Sequence, residues 1–180
     1  MRLTVIRLLT GMLAVLGLVA AGVGSPAQAA SDKRPDRGAT RVVIAPRVVD
    51  TITAAGITAA PVGEARAFGY EGTLAVRFPI SKISPDQQRI SHVGGIRLSN
   101  GHDTLVLQRF RINLGRGDIT ALVNGQVRAI VFNLASSGRP DAGPALLTLT
   151  RTAATAINDT FGVKAFSAGQ RFGWGRPAPR

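Results

Sequence analysis

The chain of 180 residues has no cysteine, which excludes disulfides, thiolate metal sites, cysteine nucleophiles and a lipid-bearing lipobox. Once an export signal is set aside, the remaining length allows one hydrophobic core rather than two. A formal net charge of +12, from 22 basic against 10 acidic residues, favours anionic partners such as envelope polymers or lipid headgroups.

The N-terminus follows the three-part pattern of a cleavable signal. Arg2 and Arg7 supply the positive start. Residues 8–23 are apolar, interrupted only by Thr10, Gly11, Gly17 and Gly22, and are short for a bilayer span. Ala27 and Ala29 then place small side chains three and one positions before a cut after Ala29. The expected organisation is a signal peptide at 1–29, a disordered leader at 30–40, a single β-rich domain at 41–175 and a flexible tail at 176–180. The processed chain is expected to be secreted or envelope-associated and not membrane-spanning. Export argues against a nucleic-acid partner.

Strand signals dominate the domain. Arg41-Val42-Val43-Ile44 is short and β-branched. Val48, Val49 and Ile52 then recur at helical spacing, with Pro46 suited to a first turn and Gly56 to a stop. Residues 74–78 alternate as a strand, and residues 90–98 read as another. Asn100-Gly101 marks a hairpin turn into a long strand over 104–114. Within that strand Phe110, Ile112 and Leu114 share one face, and Arg109, Arg111 and Asn113 share the other. Leu105 and Leu107 have the wrong parity for the apolar face. Either a bulge near Gln108 repairs this, or Val106 is the core residue and the leucines lie on a covered outer face.

Residues 119–123 and 127–134 flank Asn124-Gly125, a second hairpin. A Gly/Pro/Ser loop over 136–143 and a strand over 146–149 follow. Residues 150–161 read as a helix whose stripe is Ala153, Ala154, Ile157 and Phe161, stopped by Gly162. Val42 to Phe68 near the front is echoed by Leu147 to Phe172 near the end: strand, short helix, glycine stop, then Phe-Gly. The fold expected is mainly β, an antiparallel sandwich or barrel-like domain with two short helices and pseudo-symmetric strand-helix-strand ends.

Catalytic groups are few. The histidines are His92 and His102, no acids pair on one predicted face, and neither Gly-x-Ser-x-Gly nor His-x-x-x-His occurs. Ser91 and His92 are neighbours that point to opposite faces of a strand, so His92 reads as a histidine making ordinary hydrogen bonds. Gly94-Gly95 and Gly115-x-Gly117 lack the strand-to-helix setting of a phosphate loop and read as turns or bulges. The chain is expected not to be an enzyme, with no metal site. Arg109 and Arg111, with Arg97 across the Asn100-Gly101 turn, make a basic stripe suited to an anionic ligand.

The run Ile90-Ser91-His92-Val93-Gly94-Gly95-Ile96-Arg97-Leu98, followed by Leu105, Leu107, Phe110 and Ile112, resembles exported proteins of high-GC Gram-positive bacteria. More distantly, Ile96-Arg97-Leu98-Ser99-Asn100-Gly101-His102-Asp103 and Leu105-Val106-Leu107 resemble the HtaA haem-uptake domain. That resemblance implies an all-β envelope domain with a pair of helices, and it places His102 at the histidine that assists haem binding. The family's iron-ligating tyrosine has no counterpart at its position, Tyr70 being the only tyrosine here, and its early tryptophan-glycine opening is missing.

The reading that follows is a non-catalytic exported envelope domain, binding or structural, for an anionic cell-wall polymer or lipid surface, with no cofactor. Its candidate residues are Arg97, His102, Arg109, Arg111, Tyr70 and His92. The alternative is a carrier for haem or another hydrophobic anion, needing an apolar pocket with Arg97, His102 or Tyr70 at its mouth. A hydrolase, with His92 near a carboxylate and a serine, ranks last.

Overall fold

A computed structural model describes residues 36–139 and 141–180. The expected signal peptide and most of the expected leader lie outside the described residues. The described chain runs β1 (Gly38–Ile44), α1 (Pro46–Ala54), β2 (Thr58–Val62), β3 (Arg66–Tyr70), β4 (Thr73–Ile83), β5 (Arg89–His92) and β6 (Gly95–Ser99). It continues through β7 (Thr104–Asn113), β8 (Asp118–Val123), β9 (Val127–Ser136), β10 (Ala145–Leu149), α2 (Arg151–Phe161) and β11 (Arg171–Pro179).

Eight of these strands close into an antiparallel barrel, in the order β7-β5-β4-β1-β11-β10-β9-β8 and back to β7. Closure removes the exposed edges that such a sheet would otherwise carry. Two long strands divide an edge between partners. β7 gives Thr104–Gln108 to β6 and Arg111–Asn113 to β5. β4 gives Thr73–Arg77 to β3 and its far end to β5. The wall therefore closes at the β5 end and flares at the other, where β3 on one side and β6 with β2 on the other stand apart.

The bulge expected near Gln108 is present. Register against β8 slips between Gln108 and Arg111, and Arg109 takes a positive φ of 52°. The slip puts Leu105, Leu107, Phe110 and Ile112 all in the core, so the leucines are not on an outer face. Leu114 is not a core residue as expected: β7 stops at Asn113, and Leu114 is 47% exposed.

Residues 90–98 are two strands rather than one. Gly94 sits at φ 75°, and a Cβ there would meet the Ala65 nitrogen at 2.5 Å. A Cβ on Gly95 would meet the Leu107 carbonyl oxygen at 2.3 Å. The chain breaks here because only glycine allows both the turn and the close approach.

Residues 38–40 and 176–179, expected as parts of the leader and the tail, are strand. Gly38–Thr40 pairs with Pro177–Pro179, joining both ends of the domain into one ladder. Arg180 closes it, its backbone N–H donating to the Arg37 carbonyl at 3.1 Å. This phase turns the nitrogens of Pro177 and Pro179 away from β1, and β10 pairs β11 only as far as Gly175, so no ladder bond is lost.

Each end of the domain runs a strand into a short helix, as the echo predicts. The strands that follow pair differently, β3 on β4 but β11 on both β10 and β1. Thr150 caps α2, its hydroxyl accepting from the Ala153 N–H at 3.1 Å, and Gly162 ends the helix at φ 65°. The predicted stripe of α2 is buried. Inside the barrel Phe78 and Phe110 meet edge to face at 5.1 Å between centroids. Leu149, Val48 and Val131 are the largest fully buried side chains, each worth about 1.5–3 kcal/mol of burial.

Candidate anion-binding groove

The bulge in β7 also shapes the surface. Arg109 donates its N–H to the Gly94 carbonyl at 2.9 Å and offers its own carbonyl outward. Arg128 on β9, just past the Asn124-Gly125 turn, takes that carbonyl with Nη1 at 3.1 Å and donates to Thr120 Oγ1 at 3.2 Å. Arg111 stands in register between Ser91 of β5 and Thr120 of β8, so it shares a face with both hydroxyls.

Arg111, Arg128, Ser91 and Thr120 line a groove of about 560 Å³ with Lys82, Arg89 and Arg116. One carboxylate, Asp118, enters it, and Arg116 holds that group at 2.7 Å. Burial, then the nearby Arg111 and Arg109 charges, push the Arg128 guanidinium below its ordinary value. Mutual repulsion of this kind is relieved when an anion enters, and forked guanidinium donors beside hydroxyls suit phosphate or carboxylate.

Of the expected residues Arg111 lines the groove, and Arg109 stands at its border, where its backbone carbonyl holds Arg128. Arg97 is not with them. It stands exposed on β6 opposite Val106, because the divided edge of β7 gives Arg111 to β5 instead. His102 is exposed in the β6–β7 turn, its N–H donating to Asn100 Oδ1 at 3.0 Å. Tyr70 ends β3 with its ring 4.4 Å beneath the Arg41 guanidinium. Arg128 was missed, since its place beside Arg109 depends on β8 and β9 folding back across the bulge.

His92 is buried in the wall and lines a small internal cavity of about 70 Å³. Its Nδ1 lies 3.2 Å from the Phe110 carbonyl, which can only accept, so Nδ1 carries the proton. Nε2 then accepts from Thr40 Oγ1 at 2.7 Å. Burial lowers the imidazole to about 4, and the Phe110 bond offsets this only in part. The ring is engaged by a hydroxyl and a carbonyl rather than by a carboxylate and a serine.

A second cavity, of about 480 Å³, opens at the flared end among α1, β2, β3, β4 and β6. Val49, Ile52, Ile57, Leu74, Ile96 and Leu98 give it an apolar lining. Haem bound there would need an iron ligand, and the lining contains no histidine, tyrosine, methionine or cysteine. Neither Arg97, His102 nor Tyr70 reaches it. The residues present do not fit haem ligation.

No family model matches the chain, and no curated protein matches it.

Proposed function

We propose that this chain is a non-catalytic, exported domain of the cell envelope that binds an anionic partner through the groove over β4, β5, β7, β8 and β9. The observation that carries the reading is the basic lining of the groove, where Arg111 and Arg128 stand with Lys82, Arg89 and Arg116, and Arg128 is pinned by its bonds to the Arg109 carbonyl and Thr120. The two hydroxyls at the same face extend its hydrogen-bonding set. The barrel supports a water-exposed role, because its interior is apolar while Arg77, Arg111 and Arg176 stand outside, the reverse of a membrane-spanning barrel's polarity.

The test is retention of the 36–180 domain on immobilised anionic cell-wall polymer across a salt series. Strong retention at low salt, falling as salt rises, is the expected result, with the double variant R111Q/R128Q retained markedly less. No retention of the unaltered domain at low salt, or equal retention of the variant, overturns the groove reading.

A further inference from the structure

We propose that a second face, the outer side of β3, β4, β1 and β11, is a docking rail for a flexible linear phosphodiester polymer of the polyol-phosphate kind. The proposal rests on the anionic-partner reading above but uses none of the groove's residues.

The rail follows from strand register. Arg66 of β3 stands opposite Arg77 of β4, Arg77 opposite Arg41 of β1, and Arg41 opposite Arg176 of β11. Residues directly opposed across a ladder share one face. That face is the outer one, because the alternating Val42 and Val76 line internal cavities. With strands about 4.8 Å apart, the four positions span about 14 Å in a line across the sheet. Like charges directly opposite one another destabilise a sheet, so three consecutive arginine pairings contribute nothing to folding. A ligand with closely spaced negative charges turns the same row into a favourable feature.

Arg41 and Arg66 are oriented by neutral groups, and the Asp36 carboxylate that acts on Arg77 is itself held by Arg180. Arg41 lies over the Tyr70 ring and, with Arg176, reaches the Asp141 carbonyl at 3.5 and 3.4 Å. Arg66 Nη1 donates to the Gly63 and Ala65 carbonyls at 3.1 and 2.9 Å. Arg41 Nε is buried and has no hydrogen-bond partner among the described residues. A trough of about 270 Å³ lies beside the row, lined by Arg77, Arg41 and Arg176 together with Ala39, Ala178 and Arg180.

Curvature selects the class of partner. An eight-stranded barrel turns roughly 45° per strand, so the row bends through about 90° from β4 to β11. A lipid bilayer or a stiff duplex touches only the crest of such a surface, whereas a flexible chain follows it. A single-stranded nucleic acid would need successive aromatic platforms for its bases. Phe68 is the exposed ring here, and Trp174 is buried beneath Arg139 and Arg171, at 5.1 and 5.9 Å.

The experiment measures affinity for a poly(glycerol phosphate) oligomer by calorimetry at several salt concentrations, using the 36–180 domain. The unaltered domain is expected to bind with a steep salt dependence. The variant R77Q/R176Q is expected to bind at least tenfold more weakly at low salt, with the slope of log affinity on log salt reduced by about 1.4. Its melting temperature should be unchanged or higher, which separates lost binding from lost fold. Unchanged affinity and slope in R77Q/R176Q overturn the rail. So does equal or tighter binding of a poly(dT) oligomer or of phosphatidylglycerol vesicles. If R111Q/R128Q loses the polymer while R77Q/R176Q keeps it, the rail fails and the groove stands. If the unaltered domain takes neither this oligomer nor wall polymer, both readings fail together.

Discussion

Thr40 Oγ1 and His92 Nε2 lie 2.7 Å apart within the barrel, joining strands that are not neighbours, since β4 runs between β1 and β5. The pair closes the hydrogen-bonding of a buried imidazole whose other nitrogen is taken by the Phe110 carbonyl.

This burial makes stability depend on pH in a defined window. The folded His92 titrates at about 4, against an ordinary value of 6.5. Above 6.5 both folded and unfolded chains hold it neutral, and stability is at its full value. As pH falls from 6.5 towards 4 the unfolded chain binds the proton first, so stability is lost through that interval and no further below it. The expected loss is about 3 kcal/mol. Urea denaturation at pH 7 and pH 4.5 measures it, and His92→Gln should flatten the slope in that interval. Asp36 and Asp86 are held below the ordinary carboxylate value by hydrogen bonds, Asp36 first from the Gly38 N–H and Asp86 first from the Ser84 hydroxyl. Their contribution is present above about 3.8 and is lost below it, so it falls outside the histidine window.

Thr40→Val removes the donor to His92 and keeps the shape. A buried nitrogen acceptor left without a partner costs about 1–3 kcal/mol. The midpoint of urea unfolding at pH 7 should drop accordingly, while Thr40→Ser should recover most of the loss.

Gly94→Ala should be strongly destabilising. The residue holds φ 75°, and its new Cβ would lie 2.5 Å from the Ala65 backbone nitrogen. Backbone strain alone costs about 1–3 kcal/mol, and the clash adds to it. Gly101→Ala is the control, since nothing lies within 4 Å of a Cβ there. Thermal melts should show the larger drop for Gly94→Ala.

Within the groove the arginines should part company in stability measurements. Arg111→Gln relieves repulsion on Arg128 and should be neutral or stabilising by a few tenths of a kcal/mol. Arg128→Ala gives up the bonds to the Arg109 carbonyl and Thr120, and should cost about 1 kcal/mol. Equal losses for the two variants in thermal denaturation would show that repulsion does not act there.

Thr150→Ala should cost about 1 kcal/mol by uncapping α2, with Thr150→Ser close to the original in circular-dichroism melts.

Local chemistry was legible along the chain wherever one element decided it. Asn100-Gly101 and Asn124-Gly125 specify hairpins, Pro46 and Thr150 open helices, and the parity clash of Leu107 with Phe110 announces a bulge. β2 was not legible because Thr58–Val62 is mostly small residues around Pro61, and β3 because Arg66–Tyr70 has almost no buried side chain. The end of β11 looked like a tail because its prolines deny the usual strand signal, yet their nitrogens face an edge where no partner strand lies.

What the sequence determined by itself is a disulfide-free, alternating β chain with two short helices and an excess of arginine, since periodicity and composition act residue by residue. Only the tertiary structure decided which arginines stand together. Arg128 meets Arg109 through the fold of β8 and β9, Arg97 is parted from Arg111 by the divided edge of β7, and Arg66, Arg77, Arg41 and Arg176 line up across four strands. Pairing register joins residues far apart in the chain, and it is set by the closure of the whole barrel around its core, which no single segment encodes.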